Sequence, residues 1–221
     1  MRRESEGRRK AAAKMNALVD RALARPAPDR IKAVLAAASP TEALIERVRR
    51  RAAAKARQGG LRPLAARERL VRALYAAALR PGWHAAWTDA SVVERQAAGI
   101  GGIVTDGAGR VRLRLRRSAG TLPPFNAEIA AAAALTAAAP RAGITRLRLH
   151  TDCRALSELW SRRRSDPRLA PLRAAAHRLE RLELRVVPRL HNQTANRLAR
   201  DGAIGARATG QSPARRVGEI D

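Results

Sequence analysis

The period of the apolar pattern changes at Pro81-Gly82, and that change sets what this 221-residue chain can fold into. Before it, apolar residues recur at helical spacing. Met15, Leu18, Val19, Ala22 and Leu23 form one stripe, which Pro26 stops, and Ile31, Val34 and Leu35 form a second. Ser39-Pro40-Thr41-Glu42 reads as an N-cap with proline at the first helical position, followed by Leu44, Ile45 and Val48. Arg49-Arg50-Arg51 opens a solvated basic stretch that ends at Gly59-Gly60. Leu61 to Leu79 reads as a last helix carrying Leu70, Val71, Leu74 and Leu79. Residues 1–80 are therefore expected to be a basic, Arg/Ala-rich helical extension. The small apolar faces leave partial disorder open, or folding only against the other domain or a partner.

Beyond Trp83 the pattern is that of strands. His84 to Thr88 reads as one strand and Gly99 to Val104 as a second, with Asp106-Gly107 as a hairpin signal. Val111, Leu113 and Leu115 alternate with Arg112, Arg114 and Arg116 in a half-exposed third. Glu128 to Ala139 is a helix closed by Pro140 and Gly143. Leu147 and Leu149 alternate with Arg146 and Arg148 in a fourth strand. Arg154 to Trp160 and Pro171 to Leu182 read as helices, Leu184 to Val187 as a fifth strand and Thr194 to Ile204 as a last helix. The order β-β-β-α-β-α-α-β-α predicts an α/β domain with a mixed sheet over residues 84–205, followed by a flexible tail, 206–221.

Charge points to the partner. Lys and Arg number 45 against 19 acids, a formal net charge of +26. Residues 1–80 hold 21 of these bases against 7 acids, and so carry +14. Arginine in place of lysine fits a compositional bias, but the imbalance itself fits a phosphate-rich partner, whose neutralisation releases counterions. The five aromatics, Tyr75, Trp83, Trp87, Phe125 and Trp160, are too few for the stacking platforms of most single-strand binders. Backbone-directed binding is the better fit. The lone Cys153 excludes an internal disulfide and is most simply a small packing residue. The charged N-terminus lacks an apolar signal region, and Glu4 and Glu6 argue against a transit peptide. No apolar run reaches the ~18 residues of a membrane span. A cytoplasmic monomer without membrane contact is expected.

Acids are scarce here, yet three stand at the ends of predicted elements. Asp89 lies in Trp87-Thr88-Asp89-Ala90-Ser91, Glu128 in Asn126-Ala127-Glu128-Ile129-Ala130, and Asp152 in Thr151-Asp152-Cys153. Each has a local alternative. Asp89 could cap a turn with Ser91, Glu128 could complement a helix dipole, and Asp152 could cap the next helix. Taken together they suggest a divalent-metal site acting on a polyanion.

The order of elements, with acids on the first strand, at the first helix and after the fourth strand, resembles the ribonuclease H type 1 family. The resemblance covers about residues 84–205. Thr88-Asp89-Ala90-Ser91 is similar to the family's T-D-G/A-S, Ala127-Glu128 to its A-E and Thr151-Asp152 to its T-D-S. Val187-Pro188-Arg189-Leu190-His191-Asn192-Gln193-Thr194-Ala195-Asn196-Arg197-Leu198-Ala199 resembles V-P-R-x-x-N-x-x-A-D-x-L-A. The resemblance implies a five-stranded mixed sheet flanked by helices. It also implies two-metal hydrolysis of the RNA strand of RNA–DNA hybrids, with Mg²⁺ or Mn²⁺ held by Asp89, Glu128, Asp152 and Asn196.

In the same frame His191 falls where a family histidine helps to activate water or release product, although a solvated loop histidine fits as well. Asn126 could reach 2′-hydroxyls or base edges in the minor groove. Arg162, Arg163 and Arg164 could form a basic protrusion that grips the hybrid, or a solvated loop. His150 reads as a strand residue beside the site rather than a ligand. The chain also departs from the pattern. Asn196 replaces the fourth acid, Cys153 follows the third, and Ser91 to Ala98, with Glu94 and Arg95, replaces a glycine-rich loop. An amide oxygen can still ligate, but without charge, so weakened or Mn²⁺-favouring activity is expected. A non-catalytic nucleic-acid-binding protein is the rival reading. A reverse-transcriptase-like or exonuclease-type relative, acting on DNA or structured RNA, is a further one.

Overall fold

The computed structural model describes residues 2–25, 27–39, 42–58, 62–93, 97–107, 109–162 and 166–208. Met1, Pro26, Pro40-Thr41, Gly59 to Leu61, Glu94 to Gln96, Ala108, Arg163 to Ser165 and the tail from 209 lie outside the described residues. The chain divides into two compact units, residues 1–80 with 107–109 and residues 81–106 with 110–221.

The first unit is helical: α1 (Arg2–Ala24), α2 (Pro28–Ala37), α3 (Glu42–Arg57) and α4 (Arg62–Ala77). Pro28 starts α2, where its missing N–H costs nothing. The apolar faces that are small one by one close on one another. Val19, Ala22 and Leu23 of α1 join Ile31 and Val34 of α2, Leu44, Ile45 and Val48 of α3, and Leu70, Val71 and Leu74 of α4 in one buried core. Polar ties add register between helices. The Arg51 guanidinium donates to both carboxylate oxygens of Asp20, and Arg47 donates to the Asn16 side chain at 3.4 Å.

The second unit carries a sheet of β1 (His84–Val92), β2 (Ala97–Thr105), β3 (Val111–Thr121), β4 (Arg146–Thr151) and β5 (Arg181–Val186), ordered β3-β2-β1-β4-β5. The β1–β2 and β2–β3 pairs are antiparallel, and β1–β4 and β4–β5 are parallel. The helices are α5 (Pro124–Ala138), α6 (Arg154–Ser161), α7 (Ala170–Ala176) and α8 (Gln193–Ala208), with single 3₁₀ turns at Ala139–Ala142, Pro167–Leu169 and Arg189–His191. Ala86, Val104, Leu113, Leu147, Leu149 and Leu184 of the sheet pack with Ile129 and Leu135 of α5, Leu156 of α6 and Leu172 of α7. This is the mixed sheet flanked by helices that the alternating pattern predicts.

One predicted element is shorter than expected. The helix read over Pro171 to Leu182 stops at Ala176, and Arg181 and Leu182 belong to β5, opposite Arg146 and Leu147. Leu182 and Leu184 alternate with Arg181, Glu183 and Arg185, and pairing with β4 brings both leucines to the core. Sheet pairing outweighs local helix propensity there.

The α8 helix packs on the sheet with almost no space between the backbones. A Cβ on Gly101 would lie 2.2 Å from the backbone nitrogen of Ala199 and 2.5 Å from the carbonyl oxygen of Ala195. A Cβ on Gly99 would lie 2.1 Å from the Ala199 carbonyl oxygen. Glycine at these strand positions is what admits the helix.

Candidate active site

The site lies where the parallel pairing of β1 with β4 ends, at Trp87 and His150, on the side of the β4 C-terminus, where open α/β sheets commonly bind ligands. Trp87 of β1 stands in register with His150 of β4, and Asp89 and Asp152 each lie two residues further on. Asp89 is therefore inside a strand, 3% exposed, with Gly101 of β2 opposite it. Its Oδ1 accepts the Ala90 N–H at 2.9 Å. Glu128 sits in the second turn of α5, which begins at Pro124, and no acid occupies the first turn. Asp152 follows β4 directly. The N-cap of α6 is Cys153, whose side chain makes no cap bond. None of the three local alternatives accounts for its acid: Asp89 is not in a turn, Glu128 lies beyond the first turn of its helix, and Asp152 is not the cap.

The three carboxylates share one field. Burial first, and then the Asp152 carboxylate, push Asp89 up to about 6, while the neighbouring Asn196 side chain and the Ala90 N–H that Asp89 accepts pull the other way. Burial first, then Asp89 and Asp152, push Glu128 up to about 9. Asp89 Oδ2 and Glu128 Oε2 are buried and have no hydrogen-bond partner. Such oxygens are costly to desolvate unless something positive or donating meets them.

Asn192 is the residue that sequence reasoning passes over. It precedes α8, is 1% exposed, and its Nδ2 donates to the Thr88 carbonyl at 2.8 Å and to Asp152 Oδ1 at 2.7 Å. One amide thus ties the middle of β1 to the acid after β4. The signal lies in the Val187 to Ala199 motif, where Asn192 matches the family pattern, but spacing alone does not reveal its two acceptors. Asn196 follows one turn later on α8, and its backbone N–H donates to the Asn192 carbonyl at 3.0 Å.

The remaining candidates divide. His150 is 2% exposed, stacks on Trp87 with centroids 4.9 Å apart, and bonds the Ala86 carbonyl through Nδ1 at 2.9 Å. Burial holds its pKa down to about 4, so the neutral ring donates this bond. His191 is 9% exposed and folded into the 3₁₀ turn that carries Asn192, which is not the setting of a solvated loop histidine. Asn126 lies in the first turn of α5, two residues from Glu128 and so about 160° away around the helix. Arg162 is exposed just past α6, while Arg163 and Arg164 lie outside the described residues. Cys153 packs against the core, and burial raises its thiol.

Residues 87–202, just over half the chain, match the sequence profile of the reverse transcriptase-like family. The chain belongs to that family. The match runs from the residue before Thr88-Asp89 to the middle of α8, and so takes in Asp89, Glu128, Asp152 and Asn196. Among solved structures, the N-terminal ribonuclease H domain of a Mycobacterium tuberculosis protein is 23% identical, with a TM-score of 0.53 over 58% of this chain and 99% of that one. Ribonuclease H1 from the halophilic archaeon Halobacterium salinarum is 21% identical, with a TM-score of 0.51 over 56% of this chain and 99% of that one. At these identities the likeness is one of fold, and it fixes the reverse transcriptase-like unit as a ribonuclease H fold. No curated protein is significantly similar to the chain.

Proposed function

We propose that this protein is a divalent-metal-dependent nuclease that hydrolyses the RNA strand of RNA–DNA hybrids. The observation that carries the reading is the meeting of Asp89, Glu128 and Asp152, from a strand, a helix and a strand end, in one field that raises two of their pKa values. A site that strains its own carboxylates in this way gains most from binding cations.

The residues fit Mg²⁺ or Mn²⁺ in chemistry. The donor set is all oxygen, which hard cations prefer, and two of its oxygens, Asp89 Oδ2 and Glu128 Oε2, are buried and unmet. Among the described residues no three His, Cys, Asp or Glu side chains form a closed ligand group. Asp89, Glu128 and Asp152 would hold the ions, with the Asn196 amide oxygen as a fourth, uncharged donor. When bound, such ions lower the pKa of water and stabilise the leaving oxygen of a phosphodiester.

The chain supplies position and electrostatics. Asn192 fixes the Asp152 carboxylate relative to β1 through its two donated bonds. Asn196 keeps Asp89 nearer its ionised form. Glu128, raised further than Asp89, holds a proton near neutral pH in the absence of a cation. His191, close before α8, is the candidate to carry a proton to or from the reacting water.

A second reading is favoured by Asn196 alone: a ribonuclease H-like binding protein with weakened or no catalysis. Hybrids labelled separately on the RNA and DNA strands, alongside duplex DNA and duplex RNA, decide between the two. Metal-dependent loss of the RNA strand of the hybrid alone supports the nuclease. Retention of every duplex intact by folded protein that binds them supports the second reading.

A further inference from the structure

Four acids of the helical unit of residues 1–80 are paired within it. Asp20 is held by Arg51, Glu46 by Arg49 at 2.5 Å, Glu68 by Arg72 at 3.8 Å and Glu6 by Lys10 at 2.8 Å. Several other cations of the unit face outward. On α1 the buried residues Val19, Ala22 and Leu23 mark the inner face. At 100° per residue, Lys10, Lys14 and Arg21, with Arg25 just past the helix end, fall within about 60° of one another on the opposite face. All four are exposed. The stripe runs about 22 Å along the helix axis, and Glu6 flanks it one turn before Lys10, its ion-pair partner. Exposed Lys32 on α2 and Arg50 on α3 add to the same unit.

We propose that the outer face of α1 is a docking surface for the sugar-phosphate backbone of a nucleic-acid duplex. Charge complementarity selects the occupant. Duplexes present a phosphate charge every ~1.7 Å of axis, and a line of four cations neutralises several at once. An anionic membrane is the weaker fit. Amphipathic helices that lie on membranes insert an apolar face, and the apolar face of α1 is spent on the core of its own unit. Contacts to phosphate carry no sequence information, so the unit binds duplex without base choice and adds affinity to a site elsewhere in the chain. The inference does not depend on catalysis, since it concerns binding alone.

The test uses the full-length protein in EDTA, where metal-dependent cleavage cannot occur. Fluorescence anisotropy against a labelled hybrid and a labelled DNA duplex is followed as KCl is raised. The variant Lys10→Gln/Lys14→Gln/Arg21→Gln/Arg25→Gln keeps good helix formers at exposed positions, and circular dichroism checks its helicity. Arg112→Gln/Arg114→Gln/Arg116→Gln, on exposed positions of β3, is the comparison. The α1 variant is expected to flatten the slope of log K against log salt by about 3, and to weaken binding at 0.1 M salt by about 100-fold or more. The effect per charge should be at least twice that of the β3 variant. An unchanged slope overturns the proposal, as does an equal effect per charge from both variants. Stripe-dependent capture by phosphatidylserine vesicles with no duplex binding overturns it in favour of a membrane surface. An inactive but tightly binding protein would sink the nuclease reading and leave this one standing.

Discussion

Replacing Gly101 by alanine tests the way α8 is held against the sheet. The added Cβ would lie 2.2 Å from Ala199 N and 2.5 Å from Ala195 O, about 1.2 and 0.9 Å short of the 3.4 Å where ordinary contact begins. Both opposing atoms are backbone, so no side chain can rotate away, and either α8 or β2 must move by about an ångström. Overpacking of this kind costs about 1–3 kcal/mol, and the upper end is expected here because no rotamer relieves it. Gly205, on the same helix, is exposed, and a Cβ added there would meet nothing within 4 Å. Gly205→Ala should instead stabilise by about 0.5–1 kcal/mol through helix propensity. Urea unfolding of the two variants gives both values. The displacement at Gly101 also shifts Asn196 relative to Asp89, so cleavage should fall about 100-fold, as misplacements of an ångström do. A Gly101→Ala protein as stable as the parent, or a destabilised Gly205→Ala, would refute the packing argument.

Three further outcomes follow from the site. Asn192→Ala removes the donor to Asp152 Oδ1 and Thr88 O, and should cost about 1–3 kcal/mol in thermal or chemical unfolding. Asp89 and Glu128 have folded pKa values raised above their unfolded ones, so the native state holds extra protons. In EDTA the stability they contribute is present below about pH 4 and is lost as pH rises through about 6 for Asp89 and about 9 for Glu128. Unfolding at pH 5, 7 and 8.5 should show that decline, and Asp89→Asn should reduce it while abolishing cleavage. Asn196→Asp adds a fourth carboxylate. It should tighten Mn²⁺ binding by calorimetry at least tenfold and lower stability in EDTA.

The sheet is legible in the sequence because its strands alternate cleanly. Leu147 and Leu149 between Arg146 and Arg148 admit only a half-buried strand, and Asp152 falls at the end that this alternation marks, whereas Asp89 lies inside β1 and Glu128 in the second turn of α5. The limit of α7 is not legible, because Arg178 to Leu182 satisfies helical spacing until β4 is present to pair with it. The core of the first unit is hidden for a related reason. Val19, Ile31, Val48 and Leu70 are few on any one helix, and only the closure of four faces makes a core of them. Asn192 is the clearest loss. Its residue type and place in a motif are readable, but its acceptors, Thr88 O and Asp152 Oδ1, are 104 and 40 residues away.

The central claim is that Asp89, Glu128 and Asp152 act together as a divalent-metal nuclease site. A hybrid labelled on its RNA strand, incubated with the full-length protein in Mg²⁺, in Mn²⁺ and in EDTA, beside Asp89→Asn, tests it most directly. The account predicts RNA cleavage in metal, faster in Mn²⁺ because Asn196 supplies no charge, with none in EDTA and none from Asp89→Asn. Cleavage that persists in EDTA or in Asp89→Asn, or a folded protein that binds the hybrid and leaves it whole in both metals, would contradict it.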